Sequence, residues 1–134
     1  MSLSESCVAL AIMATTMAIS VPSLIRTREV YALNSAARMV ESRMQSAKIR
    51  AVTRNQDCRV NVTTSTSYIV ECQGTAWATV ESVALPAGIT VTASARPEFH
   101  SRGNVAPTGT VTVWDKAGRN LRVIVNVNGR IRIQ

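Results

Sequence analysis

The feature that most constrains this chain is a run of twenty residues, 6–25, without a single charged side chain. Twenty residues in a helix extend over about 30 Å, which is the thickness of the hydrocarbon core of a bilayer. The run therefore predicts a hydrophobic helix over residues 1–25 that is able to span a membrane. The remainder of the 134 residues is long enough for one small domain.

A cleavable signal peptide is the alternative for this run, but its flanking charges do not fit. A signal peptide has basic residues before its apolar core, whereas here Glu5 precedes the core and Arg26 and Arg28 follow it. By the positive-inside rule, these arginines would hold the rest of the chain in the cytoplasm. That location conflicts with the cysteine pattern described below, so a dedicated export route is indicated.

The helical pattern continues beyond the apolar run, and we expect one long helix over residues 1–54. Pro22 lacks a backbone donor and crowds the preceding turn, so it predicts a kink or local break. Beyond it, apolar residues recur at steps of three and four and form a stripe suited to packing on a sheet. This stripe consists of Val30, Leu33, Ala37, Val40, Met44, Ala47 and Ala51.

From residue 57 onward, alternating residues predict β-strands. We expect strands at about 57–62, 67–73, 77–83, 89–93, 110–114, 121–127 and 130–133. Residues 94–107, which contain two prolines and a glycine around Phe99, are predicted to form a long loop. Asn128-Gly129 lies between alternating runs and predicts a hairpin with a type I′ turn.

Two of the three cysteines bracket a predicted hairpin. If its turn centres on Ser65, Cys58 and Cys72 face each other, where a disulfide is geometrically reasonable. A disulfide would place the domain in an oxidising compartment, although two reduced cysteines are the alternative. Cys7 lies in the apolar helix and is interpreted as a small hydrophobic residue.

These patterns predict an α+β fold in which a long N-terminal helix packs on an antiparallel β-sheet or sandwich. We expect residues 1–25 to be the membrane-length helix, 26–54 the amphipathic helix, and 55–134 the globular β head domain.

The chain resembles type IV pilins and type II secretion pseudopilins, and within them the GspH/FimT-like group. Counted from Met1, Glu5 and Pro22 fall on the glutamate and the helix-kinking proline of that family. The other matching segments, in order, are Ser46–Arg54, Leu85-Pro86-Ala87-Gly88-Ile89, Phe99 with Arg102-Gly103, Asp115 with Gly118-Arg119, and Gly129-Arg130-Ile131-Arg132-Ile133. The family's basic leader and Phe-Thr-Leu-Ile-Glu type sequence are missing, and Met1-Ser2-Leu3-Ser4-Glu5 stands in that place.

The resemblance implies a structural subunit of a pilus-like filament, with residues 1–25 as the filament-core helix. It implies a mature chain with its leader removed, a methylated Met1, and a Glu5 that pairs with the amino group of an adjacent subunit. The implied partners are further copies of the chain in a helical homo-oligomer, other pilins and the inner-membrane assembly machinery. The implied location is the inner membrane before assembly, then an extracellular filament at the cell surface or in the periplasm. A minor pilin or a secretion pseudopilin remains the alternative.

DNA binding is a second hypothesis, because the net charge is +7 and arginines cluster near the C-terminus. Arg130 and Arg132 alternate with isoleucines and so point to one face, and Arg119 and Arg122 precede them nearby. Some FimT-like minor pilins serve DNA uptake with a terminal Gly-Arg-x-Arg element, which Gly129–Arg132 resembles. The alternative is a structural role for these arginines, because positively charged side chains on an edge strand discourage aggregation.

An enzyme is not expected. The sequence shows no catalytic serine or cysteine set, no phosphate loop and no metal-ligand spacing, so no catalytic residue, cofactor or metal is assigned. The single His100 is interpreted as a surface residue without a metal-binding partner. The aromatic residues are expected in the core rather than on a base-stacking surface; they are Tyr31, Tyr68, Trp77, Phe99 and Trp114.

Overall fold

The computed structural model describes residues 2–134 and divides into two compact units. The first unit extends to Tyr31, and the second runs from Ala32 to Gln134. Met1, expected to be the methylated N-terminal residue, lies outside the described residues. A single helix, α1 (Leu3–Arg54), begins in the first unit and ends in the second.

Local hydrogen bonds explain both ends of α1. At its start, the backbone N–H of Ser2 donates to Glu5 Oε2 at 3.1 Å, so Glu5 forms one half of a capping box. At its end, Asn55 has a left-handed φ of 50° and the Gln56 N–H donates to the Ala51 carbonyl at 3.1 Å. This 6→1 bond is that of a Schellman motif, and it terminates the helix where the sequence predicts.

The helix passes through Pro22 without an interruption, so the local break is not observed. The polar side chains of the apolar segment bond back to carbonyls of their own helix. Thr16 Oγ1 donates to the Ile12 carbonyl at 3.0 Å, and Ser20 Oγ donates to the Thr16 carbonyl at 2.8 Å. Such internal bonds let hydroxyl side chains lie in an apolar environment without an unmet hydrogen bond.

The second unit contains eight antiparallel strands in two sheets, which confirms the predicted α+β fold. The strands are β1 (Cys58–Thr64), β2 (Ser67–Gln73), β3 (Trp77–Ala84), β4 (Thr90–Ala93), β5 (Glu98–Phe99), β6 (Thr110–Trp114), β7 (Asn120–Val125) and β8 (Ile131–Ile133). The first sheet has the order β3-β2-β1-β5, and the second has the order β4-β6-β7-β8.

One hydrophobic core joins the helix stripe to the inner faces of both sheets. The helix contributes small and flexible residues, such as Ala37 and Met44, which are fully buried. The predicted stripe is wrong at its first position, because Val30 is 39% exposed, and it omits Ala36, which is buried. Val30 belongs to the first unit, whereas the core begins with Leu33.

The predicted loop 94–107 is wrong in part, because it contains β5. This strand pairs with β1, placing Phe99 opposite Cys58 and Glu98 opposite Arg59. A two-residue strand is too short for alternation to be recognisable, and its partner is distant in sequence. Phe99 is fully buried by this pairing.

The turn at Asn128-Gly129 also differs from the type I′ prediction. Among the described non-glycine residues only Asn55 has a positive φ, so Asn128 does not meet the type I′ requirement. Instead, the Gly129 N–H donates to the Asn126 carbonyl at 2.8 Å and the Asn126 N–H to the Arg130 carbonyl at 3.0 Å. With φ 72° at Gly129, this is a three-residue hairpin with a glycine bulge.

Candidate functional site

The first unit presents a long and mostly apolar helix surface to its surroundings. Every described residue from 2 to 31 is exposed. Large side chains remain uncovered, including Leu10 at 67%, Met17 at 67% and Ile19 at 76% exposure. An 18-residue window of α1 has a mean hydropathy of 2.0, apolar enough to cross a membrane, and none of it is buried. A patch of this kind marks a surface for lipid or another protein.

Glu5 and Pro22, the predicted assembly residues, both lie on this exposed helix. Ser2 was not singled out from the sequence, although the Ser2-x-x-Glu5 spacing is a capping-box signature. In the isolated chain, Glu5 therefore accepts the N–H of the second residue. Its carboxylate lies at the N-terminal end of α1, where the helix dipole favours negative charge.

Cys58 and Cys72 are directly opposite in the β1–β2 register and form a disulfide with a Cα–Cα distance of 4.0 Å. Both are buried in the core. Cys7 is the free cysteine of the described chain, and it is exposed on α1.

A cross-strand ion pair that the sequence analysis did not identify lies next to the disulfide. Arg59 Nε donates to Glu71 Oε2 at 2.6 Å, and the guanidinium carbon lies 4.0 Å from the centre of the Trp77 ring. The sequence pattern could have predicted this pair, since a turn at Ser65 that aligns the cysteines also aligns Arg59 with Glu71.

Three of the four predicted arginines lie together on the outer face of the second sheet. Val123 and Val125 are buried, so alternation turns Arg122 outward. Ile124 pairs with Arg132, and the backbone of Asn126 bonds to that of Arg130, which continues this outward row. We call the exposed residues Arg122, Arg130 and Arg132 the arginine face.

Arg119 has a different role. Its Nε donates to Asp115 Oδ2 at 2.6 Å and its backbone N–H to Asp115 Oδ1 at 2.9 Å, which closes the β6–β7 turn. Burial would raise the pKa of the Asp115 carboxyl, but these hydrogen bonds and the Arg119 charge outweigh it and hold the pKa below its usual range. Arg119 is thus separate from the arginine face.

The prediction for the aromatic residues is confirmed for two of them and wrong for two. Tyr68 and Phe99 are buried, whereas Tyr31 is 77% and Trp114 is 37% exposed. Trp114 lies on the second sheet, where its indole Nε1 donates to Thr92 Oγ1 at 3.3 Å. Its exposure follows from alternation, because the neighbouring Val113 takes the inward position.

The interpretation that His100 has no potential metal-binding partner is wrong. His100 Nδ1 lies 3.2 Å from Asp57 Oδ1 and 4.0 Å from Glu98 Oε1. No spacing pattern links these residues in the sequence, because Asp57 is brought close to His100 only by the β1–β5 pairing. Burial lowers the pKa of His100, but the hydrogen bonds to Asp57 and Ala106 and the two carboxylate charges outweigh it and raise the pKa.

Comparisons with known proteins agree with this architecture. The profile of the family described as "Type II transport protein GspH" matches residues 36–129, which is more than half of the chain. No curated protein matches the chain.

Two solved structures share the fold at low sequence identity. The minor pseudopilin EpsH of the Type 2 Secretion System of Vibrio cholerae has a TM-score of 0.67 at 16% identity, covering 76% of this chain and 95% of that one. The type IV minor pilin FimU of Pseudomonas aeruginosa has a TM-score of 0.66 at 16% identity, covering 79% of this chain and 90% of that one. With the profile match across the helix stripe and both sheets, the chain belongs to the type II transport protein GspH family.

Proposed function

We propose that this protein is a structural subunit of a type IV pilus-like or pseudopilus filament, assembled through its N-terminal helix. The observation that carries the proposal is the first unit, whose large apolar side chains are left exposed by residues 2–134. A bilayer covers them before assembly, and the same helices of neighbouring subunits cover them in a filament. Membership of the GspH family supports this proposal, as does the likeness to a minor pseudopilin and a minor pilin.

The proposed route runs from the inner membrane to a filament in the periplasm or at the cell surface. The partners are further copies of this chain, other pilins and the assembly machinery of the membrane. The Cys58–Cys72 disulfide supports a location outside the cytoplasm, because disulfides persist in oxidising compartments. Met1 is the proposed methylated residue of the assembled subunit.

Glu5 is the proposed assembly residue. A carboxylate next to an apolar helix is unfavourable in a hydrophobic filament core unless a positive group neutralises it. The amino group of an adjacent subunit supplies that charge when two helices are staggered. Pro22 would let the helix bend as the subunit leaves the bilayer, since proline has no N–H to bond the carbonyl four residues earlier.

A Glu5→Gln substitution tests this assignment in cells that assemble the filament. We expect the variant to remain in the membrane fraction and to be lost from sheared filaments, because the amide carries no charge for the neighbouring amine. Glu41→Gln, a matched change on α1 within the second unit, should enter filaments normally. Equal incorporation of both variants into filaments would show that Glu5 is not part of the assembly contact.

DNA binding is the second candidate function, and the arginine face favours it. Its three exposed arginines project from a sheet whose strands contain no acidic residue. Guanidinium groups on one face can contact successive phosphates without reading sequence.

Binding of double-stranded DNA by the full chain in detergent micelles tests this function. The triple variant Arg122→Gln, Arg130→Gln and Arg132→Gln should weaken binding. If each arginine contacts one phosphate, the plot of log affinity against log salt should become less steep, with the magnitude of its slope smaller by about 2–3. The control removes three exposed arginines elsewhere, namely Arg38, Arg54 and Arg96. An equal loss of DNA affinity in both triple variants would show that net charge, and not the arginine face, accounts for the binding.

A further inference from the structure

Asp57, Glu98 and His100 meet on the outer face of the first sheet, although they come from separate segments. Asp57 lies between the end of α1 and β1, Glu98 is in β5, and His100 follows that strand. Cys58 and Phe99 are buried and paired with each other, so the residues on either side of them point outward together. We call these three residues the His100 cluster.

The distances within the His100 cluster suit a shared cation. One potential ligand atom from each residue can be chosen so that all three lie within 4.8 Å of one another. The His100 Nδ1 distances are 3.2 Å to Asp57 and 4.0 Å to Glu98. Ligands about 2.0–2.2 Å from a tetrahedral Zn²⁺ are separated by roughly 3.4 Å, so a small carboxylate movement closes the set.

The hydrogen bond made by Nε2 of His100 determines which ring nitrogen carries the proton in the neutral imidazole. Nε2 lies 3.1 Å from the carbonyl oxygen of Ala106. A carbonyl can only accept, so Nε2 carries a proton, and in a neutral ring Nδ1 then has the lone pair. When Nδ1 is unprotonated, its lone pair and the two carboxylates are three acceptors whose atoms lie within 4.8 Å of one another. A histidine that donates its far N–H to a backbone carbonyl is the usual outer-shell arrangement of a metal ligand.

From this geometry we propose that the His100 cluster binds a divalent transition-metal ion of the Zn²⁺ class. One imidazole nitrogen with two carboxylates suits such ions, whereas Mg²⁺ and Ca²⁺ favour oxygen ligands alone. Three protein ligands leave a coordination position for water or for a group from a neighbouring subunit. The ion would connect the end of α1, the start of β1 and β5.

Neighbouring groups support the cluster rather than compete with a metal. The Ser101 N–H donates to Asp57 Oδ1 at 3.3 Å, which orients that carboxylate. Arg59 is opposite Glu98 in the strand register, but its Nε contacts Glu71 at 2.6 Å and its guanidinium lies over Trp77. Arg59 is thus engaged with Glu71 and Trp77, and the competitor for a metal ion at Nδ1 is a proton.

The test is a Zn²⁺ titration of the full chain in detergent micelles, after EDTA treatment and at pH 7.5. A Cys7→Ala background removes the free thiol, which would itself bind zinc. Calorimetry should show one Zn²⁺ per chain. Because the chain has one histidine, the imidazole ¹⁵N spectrum reports this site alone. The Nδ1 resonance should shift on Zn²⁺ addition, while Nε2 keeps its proton.

Two variants and a control assign the binding to these side chains. His100→Ala and Glu98→Gln should each lower the Zn²⁺ affinity at least about tenfold, because each removes a ligand. Glu81→Gln, an equal change of charge on β3, should leave the affinity unchanged. Absence of zinc binding, a protonated Nδ1 in the presence of stoichiometric Zn²⁺, or equal binding by all variants would overturn the proposal.

Discussion

At the scale of single residues, Gly129 shows that part of the Gly-Arg-x-Arg segment has a structural role. Its φ of 72° is strained for residues with a side chain. A Cβ atom there would also collide with the Gly103 carbonyl oxygen and lie 2.9 Å from the end of Lys48. Lys48 Nζ donates to the Gly129 carbonyl at 2.9 Å, so the turn is held against α1.

Gly129→Ala should therefore lower the free energy of unfolding by about 1–3 kcal/mol. Denaturant unfolding followed by the fluorescence of the two tryptophans, both in the second unit, measures this change. Two controls separate the causes. Gly118 has a positive φ, and a Cβ added there would meet no atom within 4 Å. Gly118→Ala should therefore show the backbone strain alone. Gly74→Ala has neither feature and should be close to neutral, and an equally large loss there would contradict the account.

Tyr68 carries a buried hydroxyl without a hydrogen-bond partner in residues 2–134. Desolvation raises the pKa of Tyr68 to about 12, so the hydroxyl stays neutral at ordinary pH. Since an unsatisfied buried hydroxyl costs about 1–3 kcal/mol, Tyr68→Phe should be neutral or stabilising. Phe99→Leu, at another fully buried ring, should be destabilising in the same unfolding measurement. A marked loss of stability in Tyr68→Phe would show that the hydroxyl is hydrogen-bonded.

The residues that sequence reasoning located are those whose neighbours lie nearby in the chain. Arg132 lies in β8 and Arg130 directly precedes that strand, and Cys58 and Cys72 belong to one hairpin. The His100 cluster escaped because Asp57 and His100 are distant in sequence and meet through β5, which has two residues. Arg119 was misplaced with the other arginines because its pairing with Asp115 depends on the turn.

At the scale of elements, the sequence predicted most strands because buried and exposed residues alternate along them. Strand β6 reads Thr-Val-Thr-Val-Trp, and its two valines are buried. The helix end was predicted because Asn55 tolerates the left-handed conformation. The Asn128-Gly129 turn type was not, because both hairpin geometries accept a glycine and only the register distinguishes them.

The disulfide should contribute strongly to the stability of the second unit. The cysteines are 14 residues apart and buried, and cross-linking such a loop restricts the unfolded chain. The double variant Cys58→Ala and Cys72→Ala should lower the free energy of unfolding by about 2–5 kcal/mol. Cys7→Ala, at the exposed free cysteine, is the control and should not change it. A double variant as stable as the control would show that the bridge is dispensable.

At the scale of the whole molecule, two kinds of sequence predicted the fold class. An uncharged run of membrane length is followed by an amphipathic stripe, and alternating strands follow the stripe. Their division into two sheets was not predictable, because pairs such as β1–β5 and β4–β6 join segments far apart in sequence. Alternation defines the buried face of a strand but not its partner.

The proposed filament function rests on the retention of the apolar helix in the assembled subunit. Mass spectrometry of filaments sheared from cells that make the native protein tests this most directly. We predict that the filaments contain this chain together with its N-terminal tryptic peptide ending at Arg26, and that the peptide carries a methylated Met1. High abundance would identify a major subunit, and a trace amount a minor one. Filaments without this chain, or a mature chain that has lost the segment before Arg26, would contradict the account.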